Sequence, residues 1–125
     1  MNVTNKAKNG DYGGTKKMKP EEGVTRNSLQ NAKELIKRYG TPDVVEIYQI
    51  KDEHLVKATW HARGKLPHGT THEFSGFSWG YGGEGPHGLY TFLQMLGAKL
   101  FTQEQIAKWP QERFPGLTIT EGEDY

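Results

Sequence analysis

The stretch Phe77-Ser78-Trp79-Gly80-Tyr81-Gly82-Gly83-Glu84-Gly85-Pro86-His87-Gly88 holds most of the residues in this sequence whose types and spacing could do chemistry. Gly82, Gly83 and Gly85 free the backbone for positive φ and for close approach by another group. Pro86 suits a first helical turn, where its missing N–H would have no intrahelical partner. A helix starting there would aim the N–H groups of Gly88, Leu89 and Tyr90 at one point, with the helix dipole adding positive potential. Phosphate is the ligand that such a turn favours. The alternative is a tight strand-to-helix corner whose glycines serve packing alone. Gly80, Gly82 and Gly85 match the dinucleotide-binding spacing, but no second βαβ unit follows, so the match is set aside.

Phe77, Trp79 and Tyr81 alternate and would share one strand face beside that turn. They form either a stacking platform for a base or an aromatic core ladder. Arg26, Arg63 and Arg113 stand at element ends, where a planar guanidinium could receive a phosphate or simply face solvent. Acid–base chemistry has only Glu84 with His87 or His61 to draw on, and no nucleophile elbow, paired-carboxylate signature or Walker sequence accompanies them. Five histidines raise the question of a metal. His68 and His72 are four apart, but Gly69-Thr70-Thr71 between them argues against a helix, so the spacing has no ligand geometry. The expectation is therefore no catalytic residue, no metal and no cofactor.

These residues need elements to position them. A helix is predicted from about Asn27 to Tyr39, capped by Asn27 or Ser28 and ended by Gly40, with Leu29, Ala32, Leu35, Ile36 and Tyr39 as its apolar stripe and Glu34–Arg38 on its wet face. Val44–Ile50 is rich in β-branched and aromatic residues and predicts a strand. His54–Ala62 alternates, with Val56, Ala58, Trp60 and Ala62 inward, and Thr70–Tyr81 predicts a third extended segment. Leu89–Leu96 predicts a central apolar helix. Thr102 opens a further helix with a capping box, and Leu117–Thr120 predicts a last strand. The fold class is α+β, an antiparallel β-meander with helices packed on one face.

The chain has 125 residues, one domain's worth, with 34% hydrophobic residues, 16 glycines and a net charge of +1. The monomer core this implies is thin, which predicts a homo-oligomer. Near-neutral charge excludes a globally basic DNA binder. Zero cysteines remove thiolate and cysteine–zinc chemistry and fit a reducing cytoplasm. No run approaches the ~18 apolar residues of a membrane span. Residues 1–23 are expected to be an N-terminal arm, flexible or exchanged between subunits, 24–121 a single α+β domain, and 122–125 an acidic tail.

Two resemblances are carried by these residues. Phe77–Leu96 with Leu117-Thr118-Ile119-Thr120-Glu121 is similar to a small bacterial and phage domain of unknown function, built on a G-Y-G-G-x-G-P turn before a hydrophobic helix. The whole chain, through Asn9-Gly10-Asp11-Tyr12-Gly13-Gly14, an arginine before the first helix and its length, resembles the phage Thoeris anti-defence sponges of the first described type. That resemblance implies a non-enzymatic protein of the infected bacterial cytoplasm that sequesters cyclic ADP-ribose isomers made by TIR-domain defence enzymes. It also implies a dimer or trimer of dimers, with cyclic oligonucleotides held at a second, symmetric site. It places Arg113, Phe77 and Trp79 in the ADP-ribose pocket and Arg26 and Thr91 in the symmetric site. The glycine turn, Gly82, Gly83, Gly85 and Gly88, is the binding element expected from the residues themselves. The alternative is a nucleotide-binding regulatory module or an enzyme using His87 or Glu84.

Overall fold

The computed structural model describes residues 18–64, 66–97 and 101–120, so the sequence motif at Asn9–Gly14 and the acidic tail lie outside the described residues. The fold is α+β. Four antiparallel strands, β1 (Val44–Ile50), β2 (Glu53–Trp60), β3 (Thr70–Phe74) and β4 (Leu117–Thr120), lie in the order β3-β2-β1-β4. Three helices accompany them: α1 (Thr25–Tyr39), α2 (Glu84–Met95) and α3 (Gln103–Ala107). The register pairs Val45 with Ala58, Ile47 with Val56 and Val56 with Phe74, so one face of the sheet carries buried apolar residues. Ala32 and Leu35 of α1, Leu89, Phe92 and Leu93 of α2 and Ile106 of α3 complete that core. Among the described residues no helix is long and apolar enough to cross a membrane.

The opposite face carries charge instead. Glu46 sits opposite Lys57, which sits opposite Glu73, and the Lys57 ammonium lies 3.4 Å from Glu46. The Tyr48 O–H donates to Glu73. Partial burial, with the Glu73 carboxylate accepting that bond, pushes the phenol up to about 12. An antiparallel sheet with one solvated face suits this alternation.

Several boundaries differ from the sequence expectation. α1 starts at Thr25, and neither Asn27 nor Ser28 caps it: Val24 is the N-cap and has no side-chain cap bond. Asn27 donates instead to the Pro20 carbonyl at 3.0 Å, and Ser28 donates to Glu21 at 2.5 Å. β2 ends at Trp60, which leaves Ala62 exposed outside the sheet. The third extended segment stops at Phe74. There the backbone leaves the sheet because the α1 terminus claims it: the Thr25 hydroxyl donates to the Gly76 carbonyl at 2.6 Å, and a Cβ on Gly76 would stand 2.5 Å from the Val24 carbonyl oxygen. α2 begins at Glu84, inside the glycine turn rather than after it.

A buried carboxylate ties these parts together. Glu21 is 8% exposed and accepts from Ser28, from Asn31 at 2.8 Å, from His72 at 2.6 Å and from the Ser75 N–H at 2.9 Å. Burial pushes its carboxyl up, but the bonds from His72, Ser28, Asn31 and Ser75 outweigh that and hold it below its ordinary value. Residues 18–23, counted with the arm in the sequence, are thereby packed onto α1 and the end of β3.

Candidate functional site: two clefts beside the α2 N-terminus

The start of α2 stands between two clefts, and Thr25 lines both. Its proximity to α1 depends on Gly88, where a Cβ would stand 2.3 Å from the Thr25 methyl and 3.2 Å from the Phe77 ring. Gly85 plays the same part against Ser78, whose Cβ would be 2.8 Å away. These two glycines serve close packing, not positive φ. Gly82 and Gly83 are exposed, and Gly83 has an extended φ of 177° that any residue adopts. Within the turn, positive φ belongs to Gly80, at 91°, packed against Gln111.

The phosphate nest expected at Gly88, Leu89 and Tyr90 is not formed. These residues lie inside α2, and their N–H groups point back into its preceding turn. His87 N–H already reaches the Gly83 carbonyl at 3.1 Å.

Phe77 and Trp79 are 1% and 0% exposed, so they form a core ladder and offer no free face to a base. Phe77 stacks with Phe92 at 5.3 Å. Trp79 is covered by His54, parallel at 4.0 Å, and by Phe114 at 4.8 Å. Tyr81 did not share their burial: with no strand to hold it on their face, it is 42% exposed at a cleft.

The first cleft, of about 510 Å³, runs between α1 and α2 and is lined by Arg26, Leu29, Gln30, Lys33, Glu84 and His87. Positions 26, 29, 30 and 33 share one helical face. Thr91 lies one turn beyond His87 and donates its hydroxyl to the His87 carbonyl at 3.0 Å.

The second cleft, of about 420 Å³, is lined among others by Asp52, His54, Ser78, Tyr81 and Glu112 and, among the described residues, by no lysine or arginine. Both ring nitrogens of His54 are engaged. Nε2 lies 2.9 Å from the Gln111 carbonyl oxygen, which can only accept, so Nε2 carries the proton. In the neutral ring, Nδ1 then accepts the Ser78 hydroxyl at 2.7 Å. This relay was missed in the sequence because its members are 24 and 57 residues apart. One signal was present: His54 continues the inward register of Val56 and Ala58, an unusual place for an imidazole.

The three end-of-element arginines are not brought together. Arg63 donates to Asp43 at 2.7 Å and to the Thr41 carbonyl at 2.7 Å, fastening the exit of α1. Arg113 is exposed outside both clefts at a φ of 58°, between Glu112, which lines the second cleft, and Phe114, whose N–H reaches Gln49 at 2.9 Å. Among the described residues no group of three His, Asp or Glu is arranged to hold a metal ion. Neither protein-family models, curated proteins nor solved structures give a match to this chain.

Proposed function

We propose that the chain binds and sequesters an anionic nucleotide signal of the cyclic ADP-ribose class, with no chemistry on the bound molecule, in the cleft between α1 and α2. The observation that carries this reading is the pair of cations in that cleft: Arg26 and Lys33 on one face of α1 with Leu29 between, facing Glu84 and His87 at the start of α2. Guanidinium and ammonium groups serve phosphates, and the apolar stem of the wall serves a base or ribose. A volume of about 510 Å³ falls in the range of small-molecule sites. Among the described residues the second cleft carries Asp52 and Glu112 and no lysine or arginine, which disfavours phosphate there relative to the wall at Arg26.

This reading moves the ligand away from Arg113, Phe77 and Trp79 and keeps Arg26. Thr91 is not part of this cleft's lining and bonds the His87 backbone carbonyl within α2. Sequestration of the signal would counter TIR-based antiphage defence, and a homo-oligomer would multiply the sites per particle.

Isothermal titration of the full chain with cyclic ADP-ribose isomers tests the proposal. Saturable binding is expected, with the ligand recovered intact after denaturation. Recovery of cleaved ligand, or no heat with any isomer, overturns it.

A further inference from the structure

We propose that Ser78 is a nucleophile activated by His54, in an acyl-transfer site separate from the cationic cleft. This goes beyond the binding reading and does not depend on it. A nucleophilic serine needs a base within hydrogen-bond reach and a third group that fixes the base. Ser78 Oγ lies 2.7 Å from His54 Nδ1, and the Gln111 carbonyl holds Nε2–H at 2.9 Å. Parallel stacking on Trp79 at 4.0 Å fixes the plane of the ring. Ser78 and His54 line an open cleft of about 420 Å³, so a substrate can reach the pair.

The start of α2 fixes the backbone that carries Ser78. Gly85, lacking a side chain, brings the first turn against Ser78, and this turn has no side-chain cap. The Ser78 N–H donates to the Gly85 carbonyl at 3.3 Å, which holds the serine against that turn.

Charge selects the substrate. Asp52 and Glu112 line the cleft, among the described residues no lysine or arginine does, and the exposed Tyr81 ring stands beside them. A small ester or amide that is neutral or cationic fits, and a phosphorylated one does not. In the step, the Ser78 Oγ–C bond forms as His54 Nδ1 takes the hydroxyl proton. The bond to the leaving alcohol or amine then breaks as His54 returns that proton to it. Water attacks the acyl-serine by the same exchange, releasing the acid and restoring Ser78.

The absence of cysteine from the chain makes the test clean, because Ser78→Cys introduces its single thiol. Folding of the variant is checked by near-ultraviolet circular dichroism, and its alkylation by iodoacetamide at pH 7 is timed by intact-protein mass spectrometry. A thiol polarised by a neighbouring imidazole carries far more thiolate than a free one, so a rate about tenfold or more above free cysteine is expected. Adding His54→Ala should return the rate to that of free cysteine. A rate equal to free cysteine in the first variant, or a fast rate that survives the loss of His54, overturns the proposal.

Discussion

The two clefts on either side of the α2 start share Thr25 yet differ in almost every physical respect. One is lined by the exposed cations Arg26 and Lys33, whose long side chains can adjust to a ligand, with Glu84 and His87 across from them. The other holds Ser78 and His54 in a fixed arrangement beside Asp52 and Glu112. Adjustable cations suit affinity for a phosphate, whose charge attracts from several directions. A rigid hydroxyl–imidazole pair suits a geometric demand at one atom. The difference teaches that a site can be placed by side-chain type on a helix face, or by backbone contacts drawn from distant parts of the chain.

The largest expected effect breaks both clefts together. Gly88→Val places atoms where the Thr25 methyl already stands, 2.3 Å from the added Cβ, so α1 and α2 must separate. Overpacking of this kind costs about 3 kcal/mol, and a urea titration should read that loss, with nucleotide binding lost as well. An unchanged midpoint would mean that the two helices are not in contact through Gly88.

Next comes Glu21→Gln, which acts on the wall shared by β3, α1 and the serine cleft. The amide cannot accept from His72, Ser28, Asn31 and Ser75 as the carboxylate does, and a loss of about 2–3 kcal/mol is expected at pH 7. Because the folded carboxyl lies below its ordinary value of 4.5, the native protein should hold this stabilisation fully above that pH. It should lose it as pH falls through the folded value. Urea midpoints between pH 3 and 7 should therefore fall on acidification more steeply in the native protein than in the variant, and parallel curves would reject the role given to Glu21.

The charge difference itself is sharpened by Arg26→Glu with Lys33→Glu. Two lost charge-assisted contacts weaken nucleotide binding about a hundredfold, read by titration calorimetry, while alkylation of the Ser78→Cys thiol is unchanged. Coupled losses would merge the two clefts into one site. Smallest is Gly82→Ala. Nothing lies within 4 Å of its added Cβ and no positive φ is required, so stability should move by less than about 0.5 kcal/mol, with binding intact. A loss of binding there would restore the glycine turn as the ligand-holding element.

Much of the fold was legible. Val44–Ile50 and Leu117–Thr120 form strands with the boundaries expected from their β-branched runs, and Thr102 with Gln105 forms the reciprocal capping box that opens α3. These are short-range features, decided within a few residues. β3 is shorter than the expected Thr70–Tyr81 segment, although Phe77 and Trp79 alternate like strand residues. Their alternation instead places two aromatic rings in the core from an irregular backbone held by α1.

The sequence by itself determined the class, the element order and the inward face of β2, whereas the place of Arg26 on one face of α1 with Lys33 came with the earlier start of that helix at Thr25. Periodicity and local capping carry the former, because each depends on near neighbours. Tertiary structure decided which glycines serve packing, which aromatic residue meets solvent, and that Ser78, His54 and Gln111 converge. A missing Cβ has the same appearance in sequence whether it permits positive φ or a close approach, and only the position of Thr25 tells Gly88 which. The convergence at His54 likewise depends on three segments meeting in space, and nothing local to any of them specifies the other two.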